Sequence, residues 1–207
     1  MVSVEVNNFN QIRSLLHFDD EGDLFYFLQI IRRKKDHQNE PNPQHKDSIL
    51  IKSYFVDSLE FFDSKKESII DLCKRYGARA YINLSPCSYE KCNLMLLKEH
   101  TDNLVLKNYK AMKHLVETVA GKYPAGGKLK TWVVDCDDES ESYLTNLKTV
   151  ITNVQPIGED KIIAVIPTLH GYHIITKPFD LATFMKVVPN IDVHKNNPTL
   201  LYYGTDN

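Results

Sequence analysis

The chain has 207 residues, is 43% hydrophobic, and balances 25 Lys and Arg against 27 Asp and Glu for a formal charge of −2. That composition can bury a sizeable core in one domain or two small lobes, and it lacks the basic surplus of a tight, sequence-independent nucleic-acid binder. No apolar run approaches the ~20 residues that span a bilayer, and the first ten residues carry no signal pattern, so a cytoplasmic protein with no membrane partner is expected. Cys73, Cys87, Cys92 and Cys136 form no CxxC pair and have no His at zinc-ligand spacing; they read as reduced core thiols.

Residues 24–31 give the first strand signal, and residues 48–57 return as its partner, so 24–57 reads as a long-looped hairpin. Arg32, Arg33, Lys34 and Lys35 lie at its tip. A charge run of this kind is expected to be a solvated edge; as the densest basic cluster it is also the best candidate for contact with a template strand. Ser64-Lys-Lys-Glu67 has the form of a capping box, and Ile69, Leu72, Cys73 and Tyr76 follow at helical spacing before Gly77. Residues 78–84 then form a strand with Arg79, Tyr81 and Asn83 on one face and Ala80, Ile82 and Leu84 on the other. The polar trio reads either as an exposed sheet face or as a group that stacks a base and pairs with a phosphate.

Residues 88–120 are helical in character, with Met112, Leu115, Val116 and Val119 at core spacing, and Gly121, Pro124, Gly126 and Gly127 close the segment. The glycine pair is not a phosphate loop, because it lacks the GxxxxGK spacing and precedes a strand. Thr131-Trp-Val-Val134 opens that strand and ends in Asp135 and Asp137, which would share one face. Two carboxylates so close repel unless a cation or a proton lies between them, and hard divalent cations choose such oxygen ligands. The run from Asp135 to Glu139 also reads as acidic residues leading into a helix, favoured by its dipole; Tyr143, Leu147, Val150, Ile151 and Val154 mark that helix.

Residues 161–166 and 172–176 read as two strands joined by a turn at 167–171. Thr168, Gly171 and His173 could together face a phosphate, with Gly171 allowing close backbone approach; an ordinary hairpin with a half-exposed His is the plainer reading. Asp192 stands ahead of a last strand, between Pro189 and Pro198, where a turn residue is expected. No repeat or low-complexity segment appears.

The order Asp-x-Asp, then Thr-x-x-Gly-x-His on a hairpin, then a single Asp, covers roughly residues 130–207 and resembles the archaeo-eukaryotic primase superfamily, including the primase-polymerases of plasmids and phages. The alternation of helices and strands argues for an α+β protein, two-lobed and divided near Gly121 to Gly127 into 1–127 and 128–207 within one compact unit, and the resemblance implies that the C-terminal lobe is an RNA-recognition-motif-like palm sheet packed with helices. It implies Asp135, Asp137 and Asp192 as catalytic ligands of Mg²⁺ or Mn²⁺, and His173 as a contact to the phosphates of nucleoside triphosphates, with Thr168 and Gly171 beside it. The family's N-terminal basic phosphate motif has no clear match here, and Arg79 stands in for it. The activity implied is metal-dependent nucleotidyl transfer on single-stranded or primed DNA in replication or repair. Helicase action, where needed, would come from a partner in trans.

A non-catalytic palm-like module that binds nucleic acid or a replication partner is the alternative, favoured by the near-neutral charge. A small-molecule nucleotidyltransferase would share the carboxylates without needing a template groove. A DNA-nicking initiator fits poorly, because His170 and His173 are three apart and would face opposite sides of a strand.

Overall fold

A computed structural model describes residues 5–36, 48–123 and 130–204. The protein is mixed α+β, with two antiparallel sheets and six α-helices among the described residues. The first sheet begins with β1 (Glu5–Asn7), which leads into the short α1 (Phe9–Arg13). Its far end is the hairpin of β2 (Leu24–Arg33) and β3 (Ser48–Val56), with β3 at the edge, built from two aromatic and β-branched runs. The basic run ends β2 and enters a 3₁₀ turn, Lys34–Asp36; residues 37–47 of the expected hairpin loop lie outside the described residues.

Helix α2 (Leu59–Tyr76) starts earlier than the expected capping box at Ser64. Ser58 is the N-cap, its hydroxyl accepting from the Phe61 N–H at 3.1 Å, whereas the Ser64 hydroxyl sits inside the helix and donates to the Phe61 carbonyl. The extra turn buries Phe62 against the sheet together with Ile69 and Cys73. Gly77 ends the helix at φ 55°, a left-handed cap. β4 (Arg79–Asn83) follows and pairs with β2. β5 (Cys87–Ser88) pairs with the start of β2 and opens α3 (Tyr89–Val105).

The expected single helical region 88–120 is broken. α3 stops at Val105, a 3₁₀ helix covers Tyr109–His114, and α4 spans Leu115–Lys122. Met112 and Val116, expected in the core, are 64% and 46% exposed, while Val119 is buried against Phe27 and Cys92. The break turns the chain, so one helical period cannot keep all four residues inward.

The second sheet is built from β6 (Trp132–Cys136), α5 (Glu141–Asn153), β7 (Ile162–Pro167), β8 (Tyr172–Thr176), α6 (Leu181–Val187) and β9 (Asp192–His194), in the spatial order β7-β8-β6-β9. Alternation along β6 sends Trp132, Val134 and Cys136 into a core with Leu147 and Ile151 of α5 and Phe184 of α6. The opposite face carries Val133 of β6 and Ile175 of β8, which pack into the same core as Leu28, Ile82 and Leu201 of the first sheet. Lys161 anchors the end of α5: its buried ammonium donates to the carbonyls of Thr152, Val154 and Pro156 at 2.9, 2.8 and 2.7 Å. A cation at a helix C-terminus is favoured by the dipole.

The last strand, β10 (Pro198–Gly204), does not stay with the sheet that precedes it. It inserts between β1 and β4 of the first sheet, although it follows the expected division at 127 in the chain. Leu200, Leu201 and Tyr202 are all buried, as a central strand covered on both faces demands. Asn8 reinforces the junction, its amide donating to the carbonyls of Pro167 and Leu200, both at 2.9 Å. No helix among the described residues is long and apolar enough to cross a membrane.

Candidate functional site

The face of the second sheet that begins dry at Val133 and Ile175 turns polar one step further along each strand. Asp135 is paired across β6 and β8 with His173, and across β6 and β9 with Asp192. Directly opposed residues of neighbouring strands project to the same face with Cβ atoms only about 5 Å apart. The structure therefore brings three of the expected residues to one point of one sheet. Asp192 is a strand residue, not the turn residue its prolines implied.

Asp137 lies just beyond the end of β6, where Asp135 and Asp137 line two cavities together. The larger, about 440 Å³, lies between the sheets and is also lined by Arg33, Tyr81, Thr168 and His173. The other, about 360 Å³, adds Asp192, Tyr143 and Asn190. Among the described residues, no group of three or more His, Cys, Asp or Glu side chains is arranged so that it could hold a metal ion.

His173 is held at both ring nitrogens. Nδ1 lies 2.9 Å from the Thr199 hydroxyl, and Nε2 lies 3.4 Å from an Asp135 carboxylate oxygen. Thr199 belongs to β10 and is fully buried. The Thr199 hydroxyl, which can donate or accept, holds one ring nitrogen while the other faces the Asp135 carboxylate. Thr199 is a site residue that sequence reading missed, because only the return of β10 to the first sheet brings it to the hairpin.

Gly171 is required by the backbone packed against it. Its φ is +143°, and a Cβ there would lie 2.0 Å from the Cys136 carbonyl oxygen. The close approach is between the hairpin and the Asp135–Asp137 segment, backbone to backbone. Thr168 closes the same turn, its N–H donating to the Gly171 carbonyl at 2.9 Å.

Arg79 lines the larger cavity, yet its guanidinium is nearly buried and is held by both Asp36 carboxylate oxygens, one at 2.7 Å. It also sits over the Tyr203 ring. Arg33, the last residue of β2, reaches the same cavity with a looser hold, donating to the Tyr81 hydroxyl at 3.2 Å. The four cysteines are buried and unpaired, and burial pushes the Cys73 thiol up to about 12, which keeps it protonated and inert near neutral pH.

No family model, curated protein or solved structure matches the chain.

Proposed function

We propose that the protein is a metal-dependent nucleotidyltransferase of primase-polymerase type, joining nucleotides on a DNA template. The observation that carries this reading is the register that sets Asp135 between His173 and Asp192, with Asp137 two residues along, at the mouth of a cavity between two sheets. The β-α-β-β-α-β order with sheet order β7-β8-β6-β9 supports an RNA-recognition-motif-like palm. The two sheets support a two-lobed division in which β10 returns to the first lobe.

Opposed carboxylates on neighbouring strands are unfavourable unless positive charge lies between them. As they stand the three carboxylates do not converge into a three-residue metal group, but by donor type, oxygen throughout, Asp135, Asp137 and Asp192 are the residues that would hold Mg²⁺ or Mn²⁺. When bound, such ions supply neutralisation of the triphosphate and activation of the attacking 3′-hydroxyl. The chain's own part is orientation: His173 offers its imidazole, Arg33 a cation and Thr168 a hydroxyl around the larger cavity, and the packed interface between the sheets closes one side to water.

A second reading, a non-catalytic palm-like module that binds nucleic acid or a replication partner, is favoured by the lack of a three-residue metal group among the described residues. Incorporation of labelled nucleotides on a single-stranded or primed DNA template with Mn²⁺ or Mg²⁺ separates the two. The expected result is product from the wild type and none from Asp135→Ala with Asp137→Ala, with the thermal melt of the double variant preserved. Absence of product from wild type that still binds DNA would favour the module.

A further inference from the structure

The N-terminus of α3 is held by a pair of thiols. Ser88 is the N-cap, its hydroxyl accepting from the Lys91 N–H at 3.0 Å, so Cys87 stands just before the cap and Cys92 is the fourth residue of the helix. Side chains at those two positions pack on each other and fix the angle at which the chain enters a helix. A hydrocarbon pair would serve, yet both positions hold cysteine, buried in one cluster with Phe25, Phe27 and Val119. Five residues apart, they form no CxxC pair, and it is the turn into α3 that brings the two sulfurs together.

With both protonated, each thiol donates to a carbonyl at the C-terminal end of α4, Cys87 to Ala120 at 3.2 Å and Cys92 to Tyr123 at 3.9 Å. The last carbonyls of a helix lack partners within it, and the residue four beyond Ala120 is Pro124, which has no N–H to give. Cys92 is the more acidic thiol. A hydrogen bond from Cys87 holds it below the usual thiol range and the Lys91 charge adds to this, while burial and Asp23 oppose both. Cys87, as the donor, is pushed up. Cys92 also lines an apolar cavity of about 220 Å³ whose rim carries Asn93 and Val116, both exposed, which gives a small uncharged oxidant a way in. Cys73 and Cys136 lie in the other two clusters, each without a second thiol.

We infer that Cys87 and Cys92 are a redox-active dithiol that a hydroperoxide converts to a disulfide, loosening the hold of α3 on the end of α4. The Cys92 thiolate displaces hydroxide from one peroxide oxygen and becomes a sulfenic acid. Cys87 gives its proton to that hydroxide, and its sulfur attacks the Cys92 sulfur. A second hydroxide leaves and takes up the proton that Cys92 first released. Two thiols and one hydrogen peroxide thus become one disulfide and two waters. The disulfide has no S–H, so the Ala120 and Tyr123 carbonyls lose their donors. This inference does not depend on nucleotidyl transfer.

The test is treatment of the whole folded chain with hydrogen peroxide, followed by alkylation in denaturant and tryptic mass spectrometry. Cleavage after Lys91 separates the two cysteines. The expected product is therefore peptide 80–91 joined to peptide 92–98, two hydrogens lighter than the separate pair and released by dithiothreitol. Cys73 and Cys136 should react with peroxide about tenfold or more slowly. In Cys87→Ser the Cys92 sulfur should stop at sulfenic acid and be trapped by dimedone, and Cys92→Ser should leave Cys87 a thiol. Amide hydrogen exchange over residues 115–123 should quicken on oxidation and recover on reduction. Thiols at 87 and 92 that survive peroxide, a link that forms only in urea, or oxidation of all four cysteines at one rate overturns the inference. Unchanged exchange over 115–123 overturns its effect on α4. The peptide map of the wild type needs no variant, so it decides the matter even where a serine costs stability.

Discussion

At the scale of single residues, the site depends on side chains that do no chemistry. Thr199 holds the His173 ring at Nδ1 through one hydrogen bond of 2.9 Å. Thr199→Val keeps nearly the same volume but leaves Nδ1 without its partner; a net hydrogen bond is worth about 1 kcal/mol, so nucleotide affinity should fall by about three- to tenfold in a titration with a fluorescent nucleotide. Thr199→Ser should restore it, and ring ¹⁵N shifts of His173 should report the tautomer in each variant. Gly171 is constrained by the Cys136 carbonyl, and Gly171→Ala must push the hairpin off the carboxylate segment. A cost of about 1–3 kcal/mol is expected from overpacking and backbone strain, read as a lower denaturant midpoint, with nucleotide incorporation lost as well. The need for glycine was legible in the sequence; its reason was not, because the neighbour it spares lies 35 positions earlier and only the pairing of β6 with β8 brings the two together.

At the scale of elements, local signals were read well where burial agreed with them. The ranges of β2, β3, β4 and β8 follow the apolar runs, and Gly77 ends α2 as its position required. Where two local signals competed, tertiary packing chose: the motif at Ser64 looks like the better cap, yet burying Phe62 moved the start to Ser58. In α3 periodicity alone could not say which of two apolar stripes would face inward. The helix starts also carry a pH dependence. Asp23 is held below the usual carboxylate range by the Ser88 hydroxyl and the Glu90 N–H, at the entry to α3. Asp180, the N-cap of α6, is lowered by the Thr183 hydroxyl and N–H. A carboxyl whose folded pKa is depressed adds stability that is complete above its unfolded value, about 4, and is lost as the pH falls through the folded one. Asp23→Asn and Asp180→Asn should each flatten the acid limb of a plot of urea midpoint against pH and leave the slope between pH 7 and 8 unchanged.

At the scale of the whole molecule, the two sheets share one core. Val133, Ile166 and Ile175 of the second pack with Leu28, Ile82 and Leu201 of the first, and Asn8 ties the hairpin to β10. Heat should therefore unfold both in one transition, coincident by far-ultraviolet and aromatic circular dichroism. A chain ending at Asn197 loses the strand that separates β1 from β4, together with Thr199, and should show no cooperative melt; a cooperative transition from that shorter chain would mean that the second sheet stands by itself. The sequence pointed to a single last strand after Asp192, where the structure has two, β9 and β10, and it held no sign of the partners of β10, since pairing over such a distance leaves no local trace.

The position of β10 also sets the order in which the molecule can be completed as it leaves the ribosome. Strands β2, β3 and β4 emerge early and can pair at once, but the place between β4 and β1 stays open until residues 198–204 have been made. Contacts so distant in sequence form late and slowly, and an open sheet edge waiting for its partner is a template for the wrong strand. The strand that closes that edge carries Thr199 to His173. A nascent or nicked chain with an unfinished sheet thus also lacks an oriented histidine, so the arrangement around Asp135 comes into being only with the last seam of the fold.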